Sequence, residues 1–131
     1  MGMIEGMRRL FVFVFALVTL VGCSSGSQSL SPTDFQKLTS ESGVITLDVR
    51  TPAEFAAGHL SNAVNVDVES PDFATQLGQL DPKASYAVYC RSGNRSKVAM
   101  EQMSAAGFTT THDLDGGIVA WQAAGLPVTT G

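Results

Sequence analysis

One short stretch carries residues able to do chemistry together: Cys90-Arg91-Ser92-Gly93-Asn94-Arg95-Ser96. A cysteine closes an apolar run, Tyr86-Ala87-Val88-Tyr89, and two arginines, a glycine and a serine follow it. A thiolate is the reactive form of cysteine, and it forms more readily beside cations or at a helix start. Backbone N–H groups at such a start attract negative charge. The residues from Lys97 to Ala106 read as that helix. Strand, thiol, tight basic loop and helix together describe a nucleophile that receives an anion. Gly93 permits close approach or a positive φ, the N–H groups of Arg91 to Ser96 can turn toward the sulfur, and Ser96 can add a hydroxyl donor. Arg91 and Arg95 can attract an anionic substrate and stabilise a departing anion.

Loop length separates two chemistries. Cysteine phosphatases use C-x5-R, a ring wide enough for phosphate. Here Arg95 gives C-x4-R, with serine at position 96. The smaller loop is too narrow to ring a tetrahedral oxyanion, against phosphatase or arsenate reductase activity.

The elements that must position this loop alternate along the chain. Ser31-Pro32-Thr33-Asp34 opens a helix with Ser31 as cap, Pro32 at the first position and Phe35 and Leu38 on the apolar face. Val44 to Val49 is a β-branched strand, nearly continuous in apolar character, as suits a parallel sheet covered on both faces. Thr51-Pro52-Ala53-Glu54 starts a second helix with a capping-box pattern, ending near Gly58. Ala63 to Val66 is a short strand. Ser70-Pro71-Asp72 leads into a helix carrying Phe73, Leu77 and Leu80 inward. Tyr86 to Cys90 and Thr109 to Leu114 are strands, and Gly116-Gly117 turns the chain into a last helix containing Trp121. Such alternation means an α/β fold with right-handed crossovers and a mainly parallel central sheet, helices on both faces. Ligands then bind at the carboxyl ends of the strands. Asp48-Val49-Arg50 and Asp115-Gly116-Gly117 end two other strands and border the same crevice. Asp48 and Arg50 are expected chiefly to pair with neighbours and brace the turn. His59 is expected to pack or hydrogen-bond at a helix exit, not to act as a base for Cys90; His112 reads as a surface residue and Trp121 as core. Lys97 either adds to the positive field at the loop or is solvated.

The N-terminus reads differently. Arg8 and Arg9 precede an apolar run from Leu10 to Val21 broken only by Thr19, then Gly22, Cys23 and a Ser-rich stretch. A charged start, a short apolar segment and small residues form an export signal, and the run falls short of the roughly 20 residues of a membrane span. The expected organisation is a signal peptide over residues 1–22, a polar tether over 23–30 and one folded domain over 31–131. Leu20-Val21-Gly22-Cys23 resembles the lipobox of bacterial lipoproteins. That resemblance implies cleavage before Cys23, a lipid on its thiol, and an anchor in the cell membrane or outer membrane, facing the periplasm or exterior. Cys90 is then the one free thiol in a compartment where cysteines are usually paired, which again suggests chemistry. The formal net charge of −4 argues against nucleic acid. His59 and His112 lie far apart, no metal-ligand spacing is visible, and no metal or cofactor is expected.

The whole pattern resembles the rhodanese family, from Ser31 almost to the C-terminus. Its marks are Leu47-Asp48-Val49-Arg50, Glu54-Phe55, Gly58-His59-Leu60, Ala63-Val64-Asn65, the Cys90 loop, Asp115-Gly116-Gly117-Ile118-Val119-Ala120-Trp121 and Gly125-Leu126-Pro127-Val128. The resemblance implies a three-layer α/β fold, a persulfide on Cys90 bound by Arg91, Ser92, Gly93, Asn94, Arg95 and Ser96, and transfer of sulfane sulfur from thiosulfate or a similar anionic donor to cyanide or a thiol. The rival is a non-catalytic rhodanese-like binding or sulfur-carrier module at the cell envelope, which would need no thiol at position 90. A thiol–disulfide exchanger lacks a resolving cysteine.

Overall fold

The computed structural model describes residues 27–131. The signal segment, Cys23 and the first residues of the tether lie outside them. Ten elements follow in order: β1 (Gln28–Leu30), α1 (Pro32–Thr39), β2 (Val44–Asp48), α2 (Pro52–Ala57), β3 (Val64–Asn65), α3 (Phe73–Leu77), β4 (Ser85–Tyr89), α4 (Asn94–Ala105), β5 (Thr110–Leu114) and α5 (Gly117–Ala123).

Local chemistry starts α1 and α2 where expected. The Ser31 hydroxyl accepts from the Asp34 N–H at 3.3 Å and Pro32 takes the first helical position. At α2, Thr51 accepts from the Glu54 N–H at 3.3 Å and its hydroxyl donates to the Glu54 carboxylate at 3.1 Å. The two bonds from backbone N–H groups each satisfy a donor that a helix start would otherwise leave bare.

The strands form one parallel sheet in the order β1-β5-β4-β2-β3. One face is covered by α3 and α4 through Phe73, Leu77, Met100 and Met103, packed on Leu47, Val49, Tyr86 and Val88. The other is covered by α1 and α5 through Phe35, Ile118 and Trp121, packed on Ala87, Tyr89 and Leu114. Trp121 is core, as expected, and donates its indole N–H to the Pro127 carbonyl at 2.9 Å. Two buried faces explain why the central strands read as apolar runs and not as alternation. β4 sits in the middle of the sheet, so Cys90, just past its end, emerges at the centre of the carboxyl edge.

Three expectations change. Residues 28–30, read as the end of a polar tether, form β1, pairing with β5 at Gln28 with His112, Ser29 with Asp113 and Leu30 with Leu114. A three-residue Ser-containing strand has no hydrophobic period; its partner strand makes it. Helix α4 begins at Asn94, three residues before Lys97, so only Arg91, Ser92 and Gly93 separate the strand-end cysteine from the helix. His112, read as a surface residue, lies in β5 between two partner strands, half-buried, with its Nδ1 buried and unpartnered.

Candidate active site

Cys90 is 1% exposed and its side chain packs with the α4 face of the core. Gly93 adopts φ +103, a left-handed conformation that turns the chain back over the sulfur. Its N–H donates to the Cys90 Sγ at 3.0 Å. The Ser96 Oγ lies 3.6 Å from the same sulfur. Because Gly93 caps α4 with no side-chain bond, the first N–H groups of the helix are left to the sulfur. Burial works against a thiolate here. The Ser96 hydroxyl and the N–H groups of Ser96, Gly93 and Ser92 outweigh it, and the Cys90 thiol is held below its ordinary value.

The loop is fixed from behind by α5. The Ile118 N–H donates to the Cys90 carbonyl at 2.9 Å and the Val119 N–H to the Arg91 carbonyl at 3.2 Å. This approach is possible only without a side chain at position 117. A Cβ on Gly117 would stand 2.3 Å from the Arg91 carbonyl oxygen and 2.6 Å from that of Cys90, and its φ is +62. Gly116-Gly117, expected to turn the chain at the crevice, therefore braces the nucleophile loop directly.

The expected loop residues divide into three groups. Ser92, Gly93 and Ser96 turn their N–H groups toward the sulfur, and the Ser96 Oγ stands beside it. Asn94 is exposed at the first position of α4 and makes no hydrogen bond to Cys90. Arg91 is exposed and lines an open cleft with Arg50, Glu54, Val119 and Val128. Arg95, expected to meet the donor beside Arg91, instead gives its guanidinium to Glu54 at 2.8 and 2.9 Å, with Glu69 at 4.0 Å. Those two N–H groups are committed to Glu54, although the charge still feels Cys90. The Glu54 carboxyl, in return, is held down to about 2 chiefly by Arg95.

Asp48 and Arg50 form a buried pair, with contacts of 2.6 Å to Arg50 Nη2 and 3.0 Å to Nε. The Tyr89 hydroxyl donates to Asp48 at 2.7 Å and accepts the Leu60 N–H at 3.1 Å. Arg50 also donates to the Gly58 carbonyl at 2.7 Å, and the Asn65 amide donates to the carbonyls of Asp48 and Arg50. Burial opposes the charge on Arg50, but Asp48 more than offsets it and raises the Arg50 pKa. Burial and then the Asp48 charge push the Tyr89 hydroxyl upward. The pair braces the turn after β2, as expected, and only Arg50 reaches the cleft. His59 stacks on Phe55 with ring centroids 3.8 Å apart, and its Nδ1 lies 2.8 Å from the Phe55 carbonyl. It packs at the exit of α2 and makes no bond to Cys90.

Sequence reasoning missed Asp113. This carboxylate is fully buried, accepts from the Ser96 hydroxyl at 3.0 Å and from the Ser29 hydroxyl at 2.5 Å, and lies 3.5 Å from Lys97 Nζ. The one signal for it is an acid inside a strand flanked by His112 and Leu114, and nothing there points at Cys90. Lys97 also donates to the Gly93 carbonyl at 3.2 Å, so it ties α4 to both loop and sheet.

Against known proteins, the Rhodanese-like domain family matches residues 31–124. A "Sulfurtransferase" of Allochromatium vinosum is 33% identical over 102 residues, covering 78% of this chain and 90% of the relative. "Thiosulfate sulfurtransferase 16, chloroplastic" of Arabidopsis thaliana is 42% identical over 94 residues, covering 62% and 76%. The "Uncharacterized protein slr1261" of Synechocystis is 36% identical over 99 residues, covering 76% of this chain; the chain spans about half, 54%, of that relative's length. Other relatives, 33% identical and covered over 36% of their length, are named tRNA uridine(34) hydroxylase of Chlamydia trachomatis. Among solved structures, a rhodanese-related protein of Thermoplasma volcanium has a TM-score of 0.70 at 31% identity, covering 79% of this chain and 99% of that one. A match over most of the folded residues, on a five-stranded parallel sheet with a cysteine at the end of its central strand, makes this chain a member of the rhodanese-like family.

Proposed function

We propose that the protein is a sulfurtransferase that carries sulfane sulfur on Cys90. The observation that carries this reading is the size of the nest around the sulfur. Gly93, Ser92 and Ser96 converge on one atom, with the Gly93 N–H at 3.0 Å. Donors arranged around a point suit one added sulfur better than a four-oxygen anion, which needs donors spread around a wider ring.

The Cys90 thiolate attacks the outer sulfur of thiosulfate. A Cys90–S–S⁻ group forms, the S–S bond of thiosulfate breaks, and sulfite leaves with the electron pair. Cyanide or a thiolate then takes the outer sulfur, giving thiocyanate or a persulfide and restoring the Cys90 thiolate. No general base is needed, because a thiolate displaces a good leaving group. An unpaired buried anion is costly; the loop N–H groups and the Ser96 hydroxyl stabilise it as oxyanion-hole donors do. Arg91, exposed at the cleft and paired with no acid among the described residues, is the cation that meets the donor and sulfite. Relatives named sulfurtransferase support the reaction class.

The test sets thiosulfate:cyanide turnover against hydrolysis of a chromogenic aryl phosphate under matched conditions. Turnover of thiosulfate with no appreciable phosphate hydrolysis is expected. Phosphate hydrolysis as fast as sulfur transfer overturns the reading. Inserting one Gly between Gly93 and Asn94 should widen the nest and weaken sulfur transfer.

The same proposal includes an anchor. Arg8, Arg9, the Leu10–Val21 run and the Leu20-Val21-Gly22-Cys23 motif support export and a lipid on Cys23, which four residues, Ser24 to Ser27, separate from β1. Cys23→Ser should abolish lipid labelling and release the protein from membranes. Unlabelled soluble wild type contradicts the anchor.

A further inference from the structure

The Ser96 hydroxyl has one proton and three acceptors around it: the Gly93 carbonyl at 3.1 Å, the Asp113 Oδ2 at 3.0 Å and the Cys90 sulfur at 3.6 Å. It cannot serve all three. When the proton points to Asp113, a lone pair of Ser96 faces the sulfur and can only accept from an S–H. When Cys90 is a thiolate or a persulfide anion, the proton must turn to sulfur, and Asp113 must be held by others. Two residues are placed to do so. Ser29 in β1 donates to Asp113 Oδ1, and Lys97 in α4 stands 3.5 Å from Oδ2.

We propose that Asp113 is a positioning residue for Cys90: its carboxylate, restrained by Ser29 and Lys97, decides whether the Ser96 hydroxyl donates to the Cys90 sulfur. The inference rests on Cys90 as the reacting sulfur. Asp113 touches neither substrate nor Cys90 and acts only through Ser96. Its charge competes with the sulfur anion for one proton. Ser29 and Lys97 weaken that competition by occupying the carboxylate. Ser29 reaches the site only through Asp113, and it belongs to the edge strand that follows directly on the N-terminal segment. The seat of that strand thereby bears on the reactivity of a thiol at the centre of the sheet. Ser29 and Lys97 also line an open cleft with Glu101 and Ser104, which shares no residue with the cleft at Arg91.

The charged groups facing Cys90 define the expected pH response. Arg91 follows Cys90 in the loop, Arg95 and Lys97 come from α4 and Asp113 from β5; Glu54 of α2 and Glu69 before α3 bear on the sulfur through Arg95. Asp48 at the end of β2 and Arg50 just beyond it are occupied with each other and Tyr89, and α5 carries no titratable group. Asp113 is thus the acid with a direct hydrogen-bonded route to the nucleophile.

The experiment is the pH dependence of iodoacetamide alkylation of Cys90, read by peptide mass on the reduced full chain. It reports thiol ionisation whether or not sulfur transfer occurs, so its failure is distinct from failure of the persulfide mechanism. Asp113→Asn removes the competing charge while keeping the shape, and should lower the alkylation midpoint by roughly 0.5–1 pH unit. Ser29→Ala frees a lone pair of Asp113, which then pulls harder on Ser96, and should raise the midpoint. Opposite shifts separate this relay from general loosening, which would move both variants the same way. Midpoints unchanged in both, or shifted in the same direction, overturn the proposal. If Asp113→Asn does not fold, Ser29→Ala decides alone: a midpoint that does not rise overturns it.

Discussion

At the scale of single residues, Cys90 owes its lowered pKa to hydrogen-bond donors more than to cations. The Ser96 hydroxyl and three backbone N–H groups do the work against burial. The two arginines that look equivalent in Cys90-Arg91-Ser92-Gly93-Asn94-Arg95 are not. Arg95 is bound bidentately to Glu54, and Arg91 is exposed at the cleft. Arg91→Ala should therefore lower kcat/KM for thiosulfate about tenfold or more, as expected when one charged stabiliser is removed, and leave the melting temperature unchanged. Arg95→Ala should lower both, because it also unties α4 from α2. Steady-state kinetics and thermal melts of the two variants check this; matched behaviour would show that Arg95 meets the donor as Arg91 does. The loop, its cysteine and the bracing pair Asp48 and Arg50 were legible in the sequence because each sits beside a strand end or turn signal. Asp113 was not, because its partners Ser29 and Ser96 come from distant parts of the chain and meet it only across β5.

At the scale of elements, the starts of α1 and α2 were legible and edge pairing was not. Ser31-Pro32 and Thr51-Pro52 state their caps in adjacent residues. β1 has no such code: Gln28-Ser29-Leu30 is a strand because β5 offers it an open edge and Leu30 packs beside the core. The Leu30 carbonyl also accepts the Asp115 N–H at 2.8 Å, next to the Gly116-Gly117 turn. A chain beginning at Ser31 would strip β5 of that partner and leave Asp113 Oδ1 without Ser29. It should melt at least about 5 °C below one beginning at Ser27, since each kcal/mol shifts a domain of this size by roughly 4–8 °C. Equal melting temperatures would mean that β1 is dispensable and that the folded part starts at residue 31 as the sequence suggests. Gly117 makes the same point about close approach. Its two-glycine signature reads as a turn, but the reason no side chain fits is the Cys90–Arg91 peptide lying against it.

For the whole molecule, alternating strands and helices were enough to read a parallel sheet with the site at its carboxyl edge. The strand order, which brings β5 back between β1 and β4, comes from pairings that no local pattern encodes. Long-range ties around that edge also set the acid response. Glu54 is held down from 4.5 to about 2 by Arg95. A depressed carboxylate contributes stability that is present above its unfolded value and lost as pH falls through its folded value. The Glu54–Arg95 pair should thus weaken between about pH 4.5 and 2. Glu54→Gln should flatten the stability curve in that window and cost under about 1 kcal/mol at neutral pH, as for a partly exposed pair. Denaturant titrations across that range read it, and an unchanged slope would mean that the pair does not hold α2 to α4 in solution. Sulfur itself gives the most direct test of the whole account. After thiosulfate treatment of the full chain, the Cys90 peptide should gain one sulfur, about 32 Da, and lose it to cyanide, as thiolate attack on a sulfane donor requires. An unchanged Cys90 peptide, or the same gain retained in a Cys90→Ser variant, would contradict a persulfide on Cys90.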